Sequence, residues 1–352
     1  MKSFDYLRPD TLDEALAALS DPDAAALGGG TNLLDLMKLG VAGPSKIVDL
    51  TRLPGLDRIE TLPDGTVRIG ALVRNAALPR DPGFAAAFPM VAEALLSGAS
   101  GQLRNAATVG GNLMQATRCA YFQDPFAACN RRAPGTGCDA KDGANRNHAI
   151  LGWSPACIAT HPSDFCVPLA ALGAIVEIAG PDGLRELPLA EFHLLPGEEA
   201  HLTTQLAPGE IVLALRLPPG AADFAGHARY LKLRERNSYA FAIVSAAAAL
   251  RLEDGVIREA RLALGGVAAR PWRATAAETL LAGARPAPET FAAAAEAALA
   301  EAAPSGANGF KIALAGRILA RALAAAAAGT PARMPALPGS VLDDSDTEAA
   351  HA

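Results

Sequence analysis

RNAATVGGNLMQ, residues 104–115, and ACIATHPSD, residues 156–164, bracket the stretch on which the reading of this chain turns. The first segment sets Thr108, Gly110, Gly111 and Asn112 together. A turn of that composition exposes backbone N–H groups and short polar side chains to an anionic ligand, which is how a phosphate is held without a lysine. Between the start of the first segment and the end of the second lie Cys119, Cys129, Cys138 and Cys157, four of the five cysteines. Their intervals of ten, nine and nineteen residues fit neither a zinc ribbon nor a ferredoxin run. Residues 113–147, rich in Gly, Asn, Arg and Pro, form a longer loop than a compact domain leaves untied. Disulfides would need an oxidising compartment, and the chain opens MKSFDYLRPDTLDEAL, with no apolar signal segment of its own. A metal centre is therefore favoured over disulfides, with unconnected buried cysteines as the third reading.

Toward the N-terminus, Thr11 and Glu14 form a capping box ahead of Leu12, Leu16 and Leu19, which predicts a helix to about residue 18. AAALGGGTNLLDLMKLG, residues 24–40, reads as strand, glycine turn, and a helix from about Asn32 to Leu39 stopped by Gly40. Glycines before a helix N-terminus suit an anion, although a tight connection with no ligand has the same look. The motif is not a Walker loop, and the third Rossmann glycine is replaced by Leu33. KIVDL (46–50) and TVRIGA (66–71) read as strands, and residues 89–97 as a helix. Two phosphate-sized turns in one chain imply a diphosphate.

Toward the C-terminus, Ser163 and Asp164 are expected to open an apolar helix to about Leu172, with Cys166 on its buried side. AIVEI and LRELPL flank a Pro181-Asp182-Gly183 turn as a hairpin, and EIVLALRLP follows as a strand. Residues 226–264 read as three strands; Ala246 to Ala249 would favour helix alone, but the flanking alternation decides for strand. Helices are expected from Thr275, Pro288 and Phe310. Strands followed by helices suggest a separate α+β unit. Beyond Gly329 the sequence lacks a core-forming pattern, so a disordered or partner-wrapping tail is expected at 330–352.

With 352 residues, 51% hydrophobic content and a mean hydropathy of +0.19, the chain can bury a large core in two or three domains. No apolar run is long enough to cross a bilayer, and a net charge of −6 argues against a nucleic-acid partner. Near the cysteines the balance reverses: Arg104, Arg118, Arg131, Arg132, Lys141 and Arg146 would offset thiolates or form a docking face, and a solvated basic loop is the plain alternative.

GGGTNLLDLMKLG (28–40), IGALVRN (69–75), SGQLRNAATVGGNL (100–113), HPSD (161–164), ALGGVAARPWRA (263–274) and NGFKIALAGRIL (308–319) occur in that order. The series resembles the FAD-binding medium subunits of molybdenum hydroxylases, a group that includes xanthine dehydrogenase, carbon monoxide dehydrogenase and aldehyde oxidoreductase. RCAYFQDPFAACNRRAPGTGCDA (118–140) and NHAILGWSPACIATHPSD (147–164) look most like the FAD and iron–sulfur subunit of bacterial periplasmic aldehyde oxidoreductase. The resemblance implies an α+β chain. An α/β FAD-binding domain would comprise subdomains 1–55 and 56–225, with an iron–sulfur loop at 113–160. A C-terminal domain at 226–329 would hold a three-stranded antiparallel sheet and a helix bundle.

It also implies FAD held by Leu27, Gly28, Gly29, Gly30, Thr31, Asn32, Leu33, Leu34 and Asp35 and by Thr108, Gly110, Gly111 and Asn112. Asp164 would accept hydrogen bonds from flavin or ribityl groups, with Ile211 and Lys232 alongside, and Cys119, Cys129, Cys138 and Cys157 would ligate a [4Fe-4S] cluster. From the residues alone, Asp164 reads as a helix cap and Lys232 as a solvated strand residue. The implied function is electron transfer: a large molybdenum-cofactor subunit oxidises an aldehyde, a small [2Fe-2S] subunit passes electrons to FAD, and FAD passes them to an external acceptor. No side chain of this chain then acts as a general acid or base. Export to the periplasm would ride on a partner's signal, and a cytoplasmic enzyme is the other outcome. Open alternatives are the FAD subunit of a xanthine or carbon monoxide dehydrogenase-type enzyme, a self-sufficient FAD oxidase, and a zinc-stabilised scaffold. If the glycine turns approach a pyrophosphate, valine at Gly29 or Gly111 should exclude flavin and leave the chain folded.

Overall fold

The structure, a computed structural model, describes residues 1–332, so the expected tail lies outside the described residues apart from its first three positions. At the N-terminus the capping box forms with a shift. Thr11 Oγ1 accepts from the Glu14 amide at 3.3 Å, while the Glu14 carboxylate reaches the Asp10 amide at 3.1 Å instead of the amide of Thr11 itself. The helix Leu12–Leu19 then buries Ala15 and Leu19 against Val48 and Leu50. Strands β1 (Asp5–Leu7), β2 (Ala24–Leu27) and β3 (Lys46–Asp49) form a parallel sheet in the order β1-β3-β2. Strand β1 is invisible in the sequence because all three residues are exposed and carry no apolar alternation.

A second sheet holds β4 (Ile59–Thr61), β5 (Val67–Gly70), β6 (Ile175–Gly180), β7 (Gly183–Pro188) and β8 (Ile211–Leu217). Its order is β4-β5-β8-β6-β7, with every neighbour antiparallel. The expected β6–β7 hairpin turns at Gly183, where φ of +104° needs glycine. Between β5 and β6 the chain leaves the sheet, and residues 71–174 carry the second glycine turn and all five cysteines. Two interior strands of the sheet, on either side of β8, therefore anchor both ends of the functional stretch.

The third sheet contains β9 (Ala228–Leu233), β10 (Val244–Glu253), β11 (Val256–Gly265) and β12 (Trp272–Arg273), ordered β12-β11-β10-β9 and antiparallel throughout. It has four strands where the sequence suggested three. The extra one is two residues long, too short to show alternation, and is fixed by pairing of Ala263 with Arg273 and Leu264 with Trp272. Helices Thr275–Leu281, Pro288–Ala298 and Phe310–Ala327 begin at the three residues expected.

The alanine run is strand, and its placement explains the composition. Ala246 and Ala248 face the core under these helices, while Ala247 and Ala249 face the core containing Phe165, Val167 and Tyr230. Alternate side chains point to opposite faces of a strand, so a strand packed on both sides at close range takes small residues throughout. The last helix does more than cover the sheet. Lys311, fully buried, donates to the carbonyls of Asn147 (3.0 Å), His148 (2.8 Å) and Gly266 (2.7 Å). Those bonds tie the end of the cysteine loop to the C-terminal layer. No helix among the described residues is long and apolar enough to cross a membrane.

Candidate functional site

The two glycine turns, about eighty residues apart in sequence, are in contact. A Cβ added at Gly29 would lie 2.0 Å from the Ala106 carbonyl oxygen, and one at Gly28 would lie 2.7 Å from Thr108 Oγ1. Gly30 has φ +73°. The first turn thus needs glycine largely to fit the second, so Gly29→Val should disturb local packing as well as any ligand, contrary to the expectation of a folded variant. The second turn is itself a short helix, Val109–Leu113, capped by Thr108, whose Oγ1 accepts from the Gly111 amide at 3.1 Å. IGALVRN is its platform: the Gly110 amide donates to Ala71 O (2.7 Å) and the Val109 amide to Val73 O (2.9 Å). A Cβ at Gly110 would sit 3.0 Å from that of Ala71, whereas one at Gly111 would meet only Thr108 Oγ1, also at 3.0 Å.

Beside the joined turns opens a cavity of about 520 Å³, into which Thr31, Asn32, Asp35, Gly111, Asn112, Asp164 and Lys232 project. Asn32 caps nothing in its own helix, Leu33–Lys38; its Oδ1 accepts from the Ala116 amide at 2.9 Å, and its buried Nδ2 has no partner. An unpaired buried amide costs about 1–3 kcal/mol, and a ligand acceptor would remove that cost. Thr108 instead faces a separate cleft of about 470 Å³ lined by Thr51, Asp57, Leu72 and Arg74. Leu27, Gly28, Gly29, Gly30, Leu33, Leu34 and Gly110 shape the turns from behind. Ile211, expected alongside the flavin, is buried in the core with Leu53, Leu56 and Leu72, away from Lys232.

Asp164 and Lys232 are neither a helix cap nor a solvated pair. Lys232 Nζ lies 2.8 Å from Asp164 Oδ2, and both side chains are buried. Tyr230 donates its hydroxyl to Asp164 Oδ1 at 2.6 Å; burial, and then the Asp164 charge, push its phenol well above the usual range. The helix expected to open at Ser163 starts at Cys166, because Ser163 and Asp164 are drawn into these contacts. Ser163 Oγ donates to Asn112 Oδ1 at 2.8 Å and accepts from the Cys166 amide at 3.2 Å, joining HPSD to the second turn. Sequence reasoning missed Ala99 and Tyr239, which line the same cavity with φ of +54° and +52°. Left-handed backbone at non-glycine residues is stored strain of the kind that concentrates at binding sites, and no sequence pattern announces it.

The four loop cysteines converge around one small void that also touches Tyr121, Asn130 and Arg131. None is in a disulfide. Cys129 pairs with Cys138 through an isolated antiparallel bridge. Backbone amides point at the sulfurs: those of Tyr121 and Phe122 at Cys119, those of Ala140, Lys141 and Ile158 at Cys138, and that of Ala159 at Cys157 (3.4 Å). Burial pushes the Cys119 thiol up to about 11 and raises that of Cys138. Among the described residues, no three of these sulfurs lie within 4.8 Å of one another. Zinc bonds of about 2.3 Å would place tetrahedral sulfurs ~3.8 Å apart, closer than any three of these lie. Arg132 staples the loop by donating to the carbonyls of Tyr121, Phe122 and Ala127. Arg131 lines the void with a buried, unpartnered Nε.

Cys166 stands apart, fully buried, with His161 and His193. Burial raises its thiol to about 12 and lowers the His193 imidazolium to about 4. A second cavity, also about 520 Å³, bridges the two halves of the site. It shares Arg118, Pro162, Asp164 and Phe241 with the first and has Cys119 and His148 in its wall.

Residues 2–220 match the family described as the FAD binding domain in molybdopterin dehydrogenase, and residues 229–326 match the CO dehydrogenase flavoprotein C-terminal domain. The chain is a FAD-binding subunit of the molybdenum hydroxylase family. The subunit is 47% identical to the aldehyde oxidoreductase FAD-binding subunit of Escherichia coli over 331 residues, covering 93% of this chain and 99% of that one. It is 30% identical to the carbon monoxide dehydrogenase medium chain of Hydrogenophaga pseudoflava over 92% of this chain and 96% of that one. A solved carbon monoxide dehydrogenase from the same organism superposes with a TM-score of 0.73 over 93% of this subunit and 98% of that chain, at 30% identity. The expected family, the α+β fold and the FAD cofactor are thereby borne out, and the subunit belongs to an oxidoreductase.

Proposed function

We propose that this subunit carries electrons in a heterotrimeric, molybdenum-containing aldehyde oxidoreductase. The aldehyde is oxidised in a large molybdenum-cofactor subunit, and a small [2Fe-2S] subunit delivers the electrons to FAD here. An external acceptor then takes them up. The reading rests on the E. coli relative, whose name specifies aldehyde oxidoreductase and which aligns over nearly its full length. FAD supplies the exchange between electron pairs and single electrons. The chain's own residues hold and shield it. Asn32 Nδ2, unpaired in the cavity wall, would bind the pyrophosphate beside Thr31, Gly111 and Asn112, while Asp164, held by Tyr230, and Lys232 would present a fixed charge pair to the flavin end.

The observation that carries the finer reading is the convergence of Cys119, Cys129, Cys138 and Cys157 on one void beside the flavin cavity. Soft thiolates select iron–sulfur or zinc, and the wide sulfur spacing favours a [4Fe-4S] cluster. Arg131 and the converging amides would balance its charge. The assembled enzyme, mixed anaerobically with an aldehyde, should bleach both flavin bands and a broad violet shoulder. Flavin bands alone would leave a cluster-free subunit, and a monomer that oxidises aldehyde by itself would contradict the heterotrimer. Cell fractionation tests the companion proposal that the assembly is periplasmic rather than cytoplasmic.

A further inference from the structure

His148 places its imidazole against one of the cysteine sulfurs. Its Nε2 lies 3.2 Å from Cys119 Sγ, within hydrogen-bond range for sulfur; the residue is buried, and its Nδ1 has no partner. The ring is held there from the main chain. The His148 amide donates to Asn145 O at 3.0 Å, and its carbonyl accepts from Lys311 Nζ at 2.8 Å and Asn308 Nδ2 at 3.1 Å. Asn145 is gripped in turn by the Ala307 amide at 2.7 Å. Residues 307–311, from the C-terminal layer, thus fix where an imidazole meets one particular sulfur of the loop.

A thiolate bound to metal accepts hydrogen bonds and cannot donate them, so Nε2 carries the proton and Nδ1 keeps the lone pair. Cys119 is also the one cysteine of the four that lines the cavity shared with the flavin site. We propose that His148 is a positioning residue whose Nε2–H bond to Cys119 raises the reduction potential of the cluster at the ligand facing the flavin. The inference rests on the iron–sulfur reading above. Reduction adds negative charge that is partly borne by the ligand sulfurs, so a donor aimed at sulfur stabilises the reduced state more than the oxidised one. No electron passes through the imidazole; it biases the equilibrium only.

The test is a potentiometric titration of the purified assembled enzyme followed by electron paramagnetic resonance, with iron and labile sulfide counted in every sample. His148→Leu should shift the cluster's reduction equilibrium about tenfold toward the oxidised form, roughly 59 mV for one electron. His148→Gln, which restores an N–H at similar reach, should recover most of that shift. An unchanged potential in His148→Leu with full iron would overturn the proposal. Wild-type enzyme without iron would instead defeat the cluster reading beneath it. If His148→Leu fails to retain iron, wild-type enzyme carrying ¹⁵N-histidine decides. A nitrogen coupling to the reduced cluster that vanishes in His148→Gln supports the assignment, and its absence in wild type overturns it.

Discussion

The flavin cavity and the cysteine loop are adjoining halves of one site, built on opposite principles. The cavity is assembled by regular elements: glycine turns between strand and helix, a platform from IGALVRN, and a buried ion pair bridging the HPSD segment to β9. The loop holds one four-residue helix, Ala120–Gln123, and otherwise relies on side-chain staples such as Arg132 and on clamps from a distant helix. Secondary structure positions the first half. Hydrogen bonds from distant residues position the second, with the ligation proposed above. Removing a cofactor should therefore cost the loop far more order than it costs the cavity.

The largest expected effect separates the two halves outright. Serine at Cys119, Cys129, Cys138 or Cys157 should each remove the whole complement of four irons expected for this cluster type, while Cys166→Ser keeps it; iron and sulfide analysis per FAD reads this directly. Loss of iron in Cys166→Ser with retention in Cys157→Ser would break the ligand assignment.

Next comes the clamp between the halves. Lys311→Met takes the Lys311 donor from the Asn147 and Gly266 carbonyls, while His148 O keeps Asn308 Nδ2. Chemical denaturation should show a loss of about 1–3 kcal/mol, with exchange protection lost first at residues 145–150. In the cavity, Gly111→Val should weaken FAD binding about tenfold or more, from an overpacking cost of about 1–3 kcal/mol. Gly29→Val should in addition lower thermal stability, because its neighbour is the Ala106 backbone rather than open cavity. Equal melting temperatures for the two variants would contradict that distinction.

How much of this was legible in the sequence follows the same division. The glycine turns could be read because strand, glycine and helix start are written in adjacent residues; Leu33–Lys38 and the helix at Pro89–Ser97 lie where the pattern put them. That the two turns touch could not be read, since it depends on Gly29 meeting Ala106 in space. Likewise the sequence offered Lys232 only as one residue of an alternating strand, while its burial against Asp164 and Tyr230 comes from helix Pro89–Ser97 packing on β9 through Glu93. The cysteine grouping was legible too, since Cys166 falls in an apolar helix and the other four in or beside the loop, but their meeting around one void needed the fold. Ile211 lay in a strand read correctly from the sequence, while its burial with Leu53, Leu56 and Leu72 came from the fold.

The smallest effect is a pH dependence beneath the second turn. His193 is buried and neutral, with its imidazolium lowered to about 4 from an ordinary 6.5, and its Nε2 bonds to Leu113 O at 2.9 Å. A group with a depressed folded value contributes fully above the unfolded value. As pH falls from about 6.5 toward 4, the unfolded chain takes up a proton that the fold refuses, and stability drops by up to roughly 3 kcal/mol. Urea midpoints for wild type should fall across that window, and His193→Gln should flatten the slope; parallel slopes would reject the assignment.

The account depends most on both cofactors residing in one chain. Purified subunit, freed from its partners, should contain about four iron and four labile sulfide for each FAD, as expected of this cluster type. One FAD with no iron, or zinc in place of iron, would contradict it.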